Sequence, residues 1–154
     1  MNATQELDNA ERLVHEIDEL DEIESSLDSK EARRRLQAVR WRLLGWAPSV
    51  RLSVAADLLE LSLPTVRAWI ERGLLEEVAD SSPRRVTLRS ILDVRPVLRE
   101  LRSLGQDRNL LEAVLARLDD ERTLGESELQ RSLEELRRGE LIDVTPSRKR
   151  ELAR

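Results

Sequence analysis

The chain has 154 residues, a net charge of −5, three tryptophans as its only Phe/Trp/Tyr residues, and no cysteine. That length suits one medium domain or two small ones, with a core built from leucine, valine, isoleucine and alanine. The missing cysteines exclude disulfides, thiolate metal sites and cysteine nucleophiles, and no apolar run approaches the ~18 residues that a membrane span needs.

Charge is distributed unevenly. Residues 1–29 carry ten acidic groups and one basic, residues 30–51 seven basic and one acidic, and residues 52–105 eight of each. Most of the negative charge thus lies at one end. The start of the chain is acidic rather than basic-then-apolar, so no secretory signal is read and a cytoplasmic protein is expected.

In residues 1–46 the spacing predicts one broken helix or a charged helical hairpin, serving dimerisation or a partner. Leu7, Ala10, Val14, Ile17 and Leu20 recur three or four residues apart, and Ile23 and Leu27 extend the stripe. Asp28-Ser29-Lys30-Glu31 reads as a capping box with Asp28 as cap. A second helix would then carry Ala32, Leu36, Val39, Leu43 and Trp46 as a heptad seam about two heptads long. It also holds the basic cluster Lys30, Arg33, Arg34, Arg35, Arg40 and Arg42. Two uses of the opposed charges stay open. The acidic helix can pair with the basic one, or the acidic helix can grip a basic partner while the basic helix adds to DNA affinity.

Gly45 to Arg51, with Pro48, reads as a linker into residues 50–104. There Ser53 is the expected cap of a first short helix with Val54, Leu58, Leu59 and Leu61 on one face. Ser62 caps a second, with Pro64 in its first turn and Val66, Trp69 and Ile70 as its buried stripe. Gly73 stops it in a left-handed conformation. Leu74–Val78 and Arg85–Leu88 are candidate strands around a polar turn at 79–84. Two short helices in tandem followed by a small β unit predict a mainly α fold: a winged helix-turn-helix core with a small β wing, flanked by the N-terminal hairpin and by C-terminal helices. Such a unit presents its second helix to the major groove of DNA.

The stretch from Leu58 to Leu75, with Ser62, Thr65-Val66, Trp69 and Gly73 in order, resembles the core of excisionase-like and MerR-like winged-helix DNA-binding domains. The resemblance implies that Ser62 caps a recognition helix. It also implies that Thr65, Arg67, Ala68 and Arg72 face DNA, and that Arg84 and Arg85 lie on the wing near phosphate or the minor groove. Two positions depart from the pattern. Glu60 stands where the family usually has a turn glycine, and Leu63 where a polar residue is common. The first strains the turn; the second removes a DNA contact or creates a protein-facing one.

Further on, Ser90 is the expected cap of a short turn at 91–94, and Pro96 starts a helix with Val97, Leu98, Leu101 and Leu104 inward, closed by Gly105. In the region 106–145, Asp107 caps a helix carrying Leu110, Leu111, Val114, Leu115 and Leu118. Gly125 breaks the chain, and a last helix has Leu129, Leu133 and Leu136 on one face before Gly139. Leu141–Val144 reads as a short strand and 146–154 as a basic tail.

No catalytic constellation appears. The five glycines are scattered singly; Asp119, Asp120 and Glu121 are adjacent and so point apart on a helix; the lone His15 sits in an acidic segment. An enzyme is not expected, nor a cofactor or metal. The expected function is sequence-specific transcriptional regulation on double-stranded DNA as a homodimer. The layout, with charged helices on both sides, also resembles antitoxins of toxin–antitoxin operons, which implies a toxin as protein partner. The alternative is a protein-interaction adaptor whose winged helix does not touch DNA.

Overall fold

A computed structural model describes residues 1–139. Its elements run α1 (Ala3–Ser26), α2 (Lys30–Gly45), β1 (Ser49–Arg51), α3 (Leu52–Leu59), α4 (Leu63–Glu71), β2 (Arg85–Thr87), α5 (Leu88–Ser103) and α6 (Leu110–Arg137). The chain is mainly helical, with one two-stranded antiparallel sheet among the described residues. Met1–Ala116 form one compact unit, and a second begins at Arg117 within α6. No described helix is long and apolar enough to cross a membrane.

The first unit closes around residues from every element before α6. α1 buries Ala10, Val14 and Ile17 and packs on both α2 and α3, so residues 1–46 share a core with the helices and strands after them. Val50 and Val86 pair directly in the β1–β2 ladder and are 1% and 0% exposed. The alternation typical of strands places Ser49, Arg51, Arg85 and Thr87 on the opposite face. Trp69 of α4 and Leu59 of α3 complete this core with Ile91 and Leu98 of α5.

Several local signals yield to tertiary contacts. α3 starts two residues early, with Arg51 rather than Ser53 as its N-cap and no side-chain cap. The reason is that β1, read as part of a linker, runs straight into the helix, and Glu6 Oε1 accepts the Arg51 backbone N–H at 3.2 Å. Ser29, not Asp28, caps α2 through the Ala32 N–H. The heptad seam of α2 is only half realised: Ala32, Leu36 and Leu43 are half-buried, Val39 and Trp46 are exposed, and the fully buried residue of the helix is Leu44, next to the seam. Leu74–Val78 is not a strand. It contributes one bridge, Glu77 to Val86, on the edge of β2 away from β1, where the Val78 N–H donates to the Arg85 carbonyl and the Thr87 N–H to the Glu76 carbonyl, each at 2.9 Å. Residues 88–103 are one helix capped by Thr87 rather than Ser90, with Pro96 inside it. A helix-interior proline costs ~3 kcal/mol, and burial of Ile91, Leu92 and Val94 before it, and of Val97 and Leu98 after it, outweighs that. Leu104, expected inward, falls past the helix end and is exposed.

Gly73 and Gly105 stop α4 and α5 at φ +78° and +79°. In each case the N–H after the glycine reaches back five residues, Leu74 to the Trp69 carbonyl and Gln106 to that of Leu101, the pattern of a glycine-capped helix end. α6 begins at Leu110 after Asn109, which has φ +53°, so the start expected from Asp107 lies later. Gly125 lies inside α6, since one glycine costs a helix only ~1 kcal/mol. In the second unit Leu124, Leu129, Leu133 and Leu136 are exposed, and Gly139 has the left-handed φ expected of a stop. The strand expected at 141–144 and the basic tail at 146–154 lie outside the described residues.

α1 is also tied to α5 through ions. Arg95 donates two hydrogen bonds to Asp18 at 2.8 and 2.9 Å, and Arg99 donates a third at 3.2 Å. Burial alone would raise the Asp18 carboxyl, but the hydrogen bonds and charges of Arg95 and Arg99 prevail and hold it below the ordinary carboxylate range. A carboxyl lowered in the folded state stabilises above its unfolded pKa of about 3.9, and the gain is lost as pH falls through the folded value. Asp18→Asn is therefore expected to lower the melting temperature at neutral pH, with the difference from wild type vanishing in acid. A difference that persisted unchanged below pH ~3 would remove the ion-pair account.

Candidate nucleic-acid interface

The residues expected to meet DNA lie on α4 and beside β2. α4 is built as its sequence suggests. Ser62 caps it, its hydroxyl accepting the Thr65 N–H at 3.3 Å and lying 2.7 Å from the Thr65 hydroxyl. Pro64 sits in the first turn, where a missing N–H has no cost. Val66 and Trp69 are buried against the core and Ile70 is half-buried. α3 and α4 contact each other across the three-residue turn Glu60–Ser62. Glu60 adopts φ +52°, ψ +45°, a left-handed conformation costing a side-chain-bearing residue ~1–2 kcal/mol. This is the position where a glycine would be at ease. Arg102 holds the strained turn by donating to the Glu60 carbonyl at 2.9 Å.

The seven expected contact residues fall into four groups. Arg67 is exposed and makes no ion pair or hydrogen bond through its side chain among the described residues. Ser62, Thr65 and Ala68 line an open groove of about 700 Å³, together with Trp69, Arg102 and the segment around Asn109 and Leu110. Arg72 and Arg84 already have carboxylates. Arg72 pairs with Glu112 at 3.0 Å, and Arg84 grips Glu77 with two hydrogen bonds of 2.5 and 2.9 Å. Glu77 is held below the ordinary carboxylate range mainly by that hydrogen bonding.

Arg85 belongs elsewhere. Its guanidinium donates to Glu6, to the Ser49 carbonyl at 2.6 Å and to the Ser49 hydroxyl at 3.0 Å. It anchors α1 to the sheet instead of standing on a wing surface. Glu6, buried with 6% exposure, is the residue that sequence reasoning missed. It sits four residues before Ala10, on the stripe itself, and its charge hid its place in that stripe. Glu77 and Glu112 were missed too. Only Glu77 carried a signal, as a carboxylate across a turn from Arg84.

The described residues contain no group of three or more His, Cys, Asp or Glu side chains placed to hold a metal ion. Compared with family models, with curated proteins and with solved structures, the chain matches none of them.

Proposed function

We propose that the chain is a sequence-specific DNA-binding regulator that presents α4 to the major groove as the second helix of a winged helix-turn-helix and acts as two copies on a two-fold site. The observation that carries this reading is Arg67. It is an exposed cation without a side-chain partner among the described residues, on a short, well-capped helix whose opposite face is anchored by Val66 and Trp69. An arginine in that place can take guanine edge-on or clamp a phosphate. Arg72 and Arg84 then exchange their carboxylates for phosphate. Both pairs are partly exposed, where water screens the charges and an ion pair contributes little, so the exchange costs little. Thr65 and Ala68 reach base edges only if the nucleic acid enters the groove they line. Half-site centres would lie ~34–36 Å apart, one helical turn. If the chain also neutralises a toxin, the neighbouring reading frame is the first partner to test.

The carboxylates on Arg72 and Arg84 favour one second reading, a protein-interaction adaptor. A mobility-shift assay against the DNA upstream of the reading frame, at low and moderate salt, separates the two. DNA binding is expected to give a discrete complex that weakens steeply with salt; no complex at any salt favours the adaptor. Within the first outcome, Arg67→Ala is expected to weaken binding by about 1–3 kcal/mol if the residue reads a base, or to reduce the salt slope by about one if it holds a phosphate. Unchanged affinity and slope would move the DNA surface off α4.

A further inference from the structure

The outer faces of α1 and α2 carry opposite charges that are little spent on each other. Among the described residues Arg40–Asp21, at 2.8 Å, is the one ion pair joining the two helices. At 3.6 residues per turn, one arc of about 140° on α2 runs from Trp41 to Trp46. Between these tryptophans lie Arg34, Arg35 and Arg42, the single acid Glu31, which pairs with Arg35 at 3.1 Å, and the small residues Ala38 and Gly45, all exposed. Trp41 is 52% and Trp46 79% exposed, and the Arg89 guanidinium stacks 4.4 Å from the Trp41 ring centre. A side chain added at Gly45 would meet nothing within 4 Å. Two aromatic edges thus flank a low floor of net positive charge that no other described residue covers.

α1 offers the complement. An arc of similar width holds Asp8, Glu11, Glu16, Glu19 and Glu22, all exposed, against the single cation Arg12, and includes the half-exposed Ile23. Of these acids only Glu19 has a described ion-pair partner, His15, on its own helix. The two arcs also match in length. Residues 8–23 and 31–46 each span about 23 Å of helix.

We infer that the partner of the α2 face is a second copy of this chain, docked hairpin on hairpin about a two-fold axis so that α1 of each copy lies over α2 of the other. Isologous pairing uses both charged faces twice, and exposed tryptophan and arginine are the residue types that dominate such contacts. The face does not compete with DNA at the turn 79–84. That turn extends from the Arg51–Arg85 end of the ladder, whereas Trp46 precedes the Ser49–Thr87 end. This pairing supplies the surface for the two-copy part of the proposed function and rests on that part, not on DNA binding.

Sedimentation of the full chain without DNA tests it. Wild type is expected to be a dimer at low salt and to dissociate more readily as salt rises, and Trp46→Ala is expected to weaken association about tenfold or more. Charge exchange is sharper. A chain with Glu19→Arg and Glu22→Arg, and another with Arg34→Glu and Arg42→Glu, should each be monomeric, with circular dichroism confirming the fold, because both contacts become like-charged. Mixed, they should form a heterodimer, since both contacts are then complementary. A monomeric wild type would overturn the two-copy reading itself. A dimeric wild type with either variant still self-dimeric, or with no heterodimer on mixing, would overturn this surface alone, and the DNA assay is independent of all these outcomes.

Discussion

Glu6→Ala is expected to destabilise the fold by about 3 kcal/mol, the low end of the cost of breaking a buried ion pair. The carboxylate is 7% exposed and faces both Arg51 and Arg85, whose side chains are 33% and 27% exposed. Removing it leaves two guanidinium groups partly desolvated with nothing of opposite charge between them, and water reaching them keeps the loss from the upper end of that range. Glu6→Gln keeps an acceptor for the Arg51 N–H and should cost less. Because Glu6 and Arg85 share one network, their alanine variants combined should cost less than the sum of the two. Urea denaturation of the four chains measures this, and a Glu6→Ala chain within ~0.5 kcal/mol of wild type would mean that the network contributes nothing. The same series decides the role of Arg85. Arg85→Ala should lose stability; a variant that melts like wild type yet fails to bind DNA would return that residue to the DNA surface.

The second large effect belongs to Trp69. It is 1% exposed at the junction of α3, α4 and the core, and truncating so large a buried side chain to alanine costs ~3–5 kcal/mol. Trp69→Ala is therefore expected to loosen or unfold the first unit. Its buried indole N–H has no hydrogen-bond partner among the described residues, a state that costs about 1–3 kcal/mol. Trp69→Phe removes that orphan donor along with some volume, and the two effects offset, so the phenylalanine variant should fall within ~1 kcal/mol of wild type. Calorimetric melts of the two variants separate packing from polarity. A Trp69→Phe loss as large as that of alanine would show that the indole makes a contact the phenyl ring cannot replace.

Residues 1–139 show where local chemistry was sufficient and where it was not. α4 was legible from end to end because its determinants lie within a dozen residues: a serine cap, a first-turn proline, an apolar stripe at three-residue spacing and a glycine stop. The strain at Glu60 was legible too, as a residue with a Cβ standing where the turn needs positive φ. β1 was not. Three residues in a segment containing a proline have no period to read, and only pairing with Val86 makes them a strand. Pro96 and Gly125 each marked a break that did not occur, since a local cost of ~1–3 kcal/mol does not end a helix that the rest of the chain sustains.

The candidate site divides along the same line. Helix phase follows from spacing, so the residues that α4 presents, arginines among them, were readable before any contact was known. Which of those arginines are free was decided by the tertiary structure, because an ion pair needs two groups that the chain brings together from a distance. Glu112 reaches Arg72 from forty residues away and Glu6 reaches Arg85 from seventy-nine. No local pattern encodes such meetings; they arise from how the hydrophobic faces close around Val50, Trp69 and Val86.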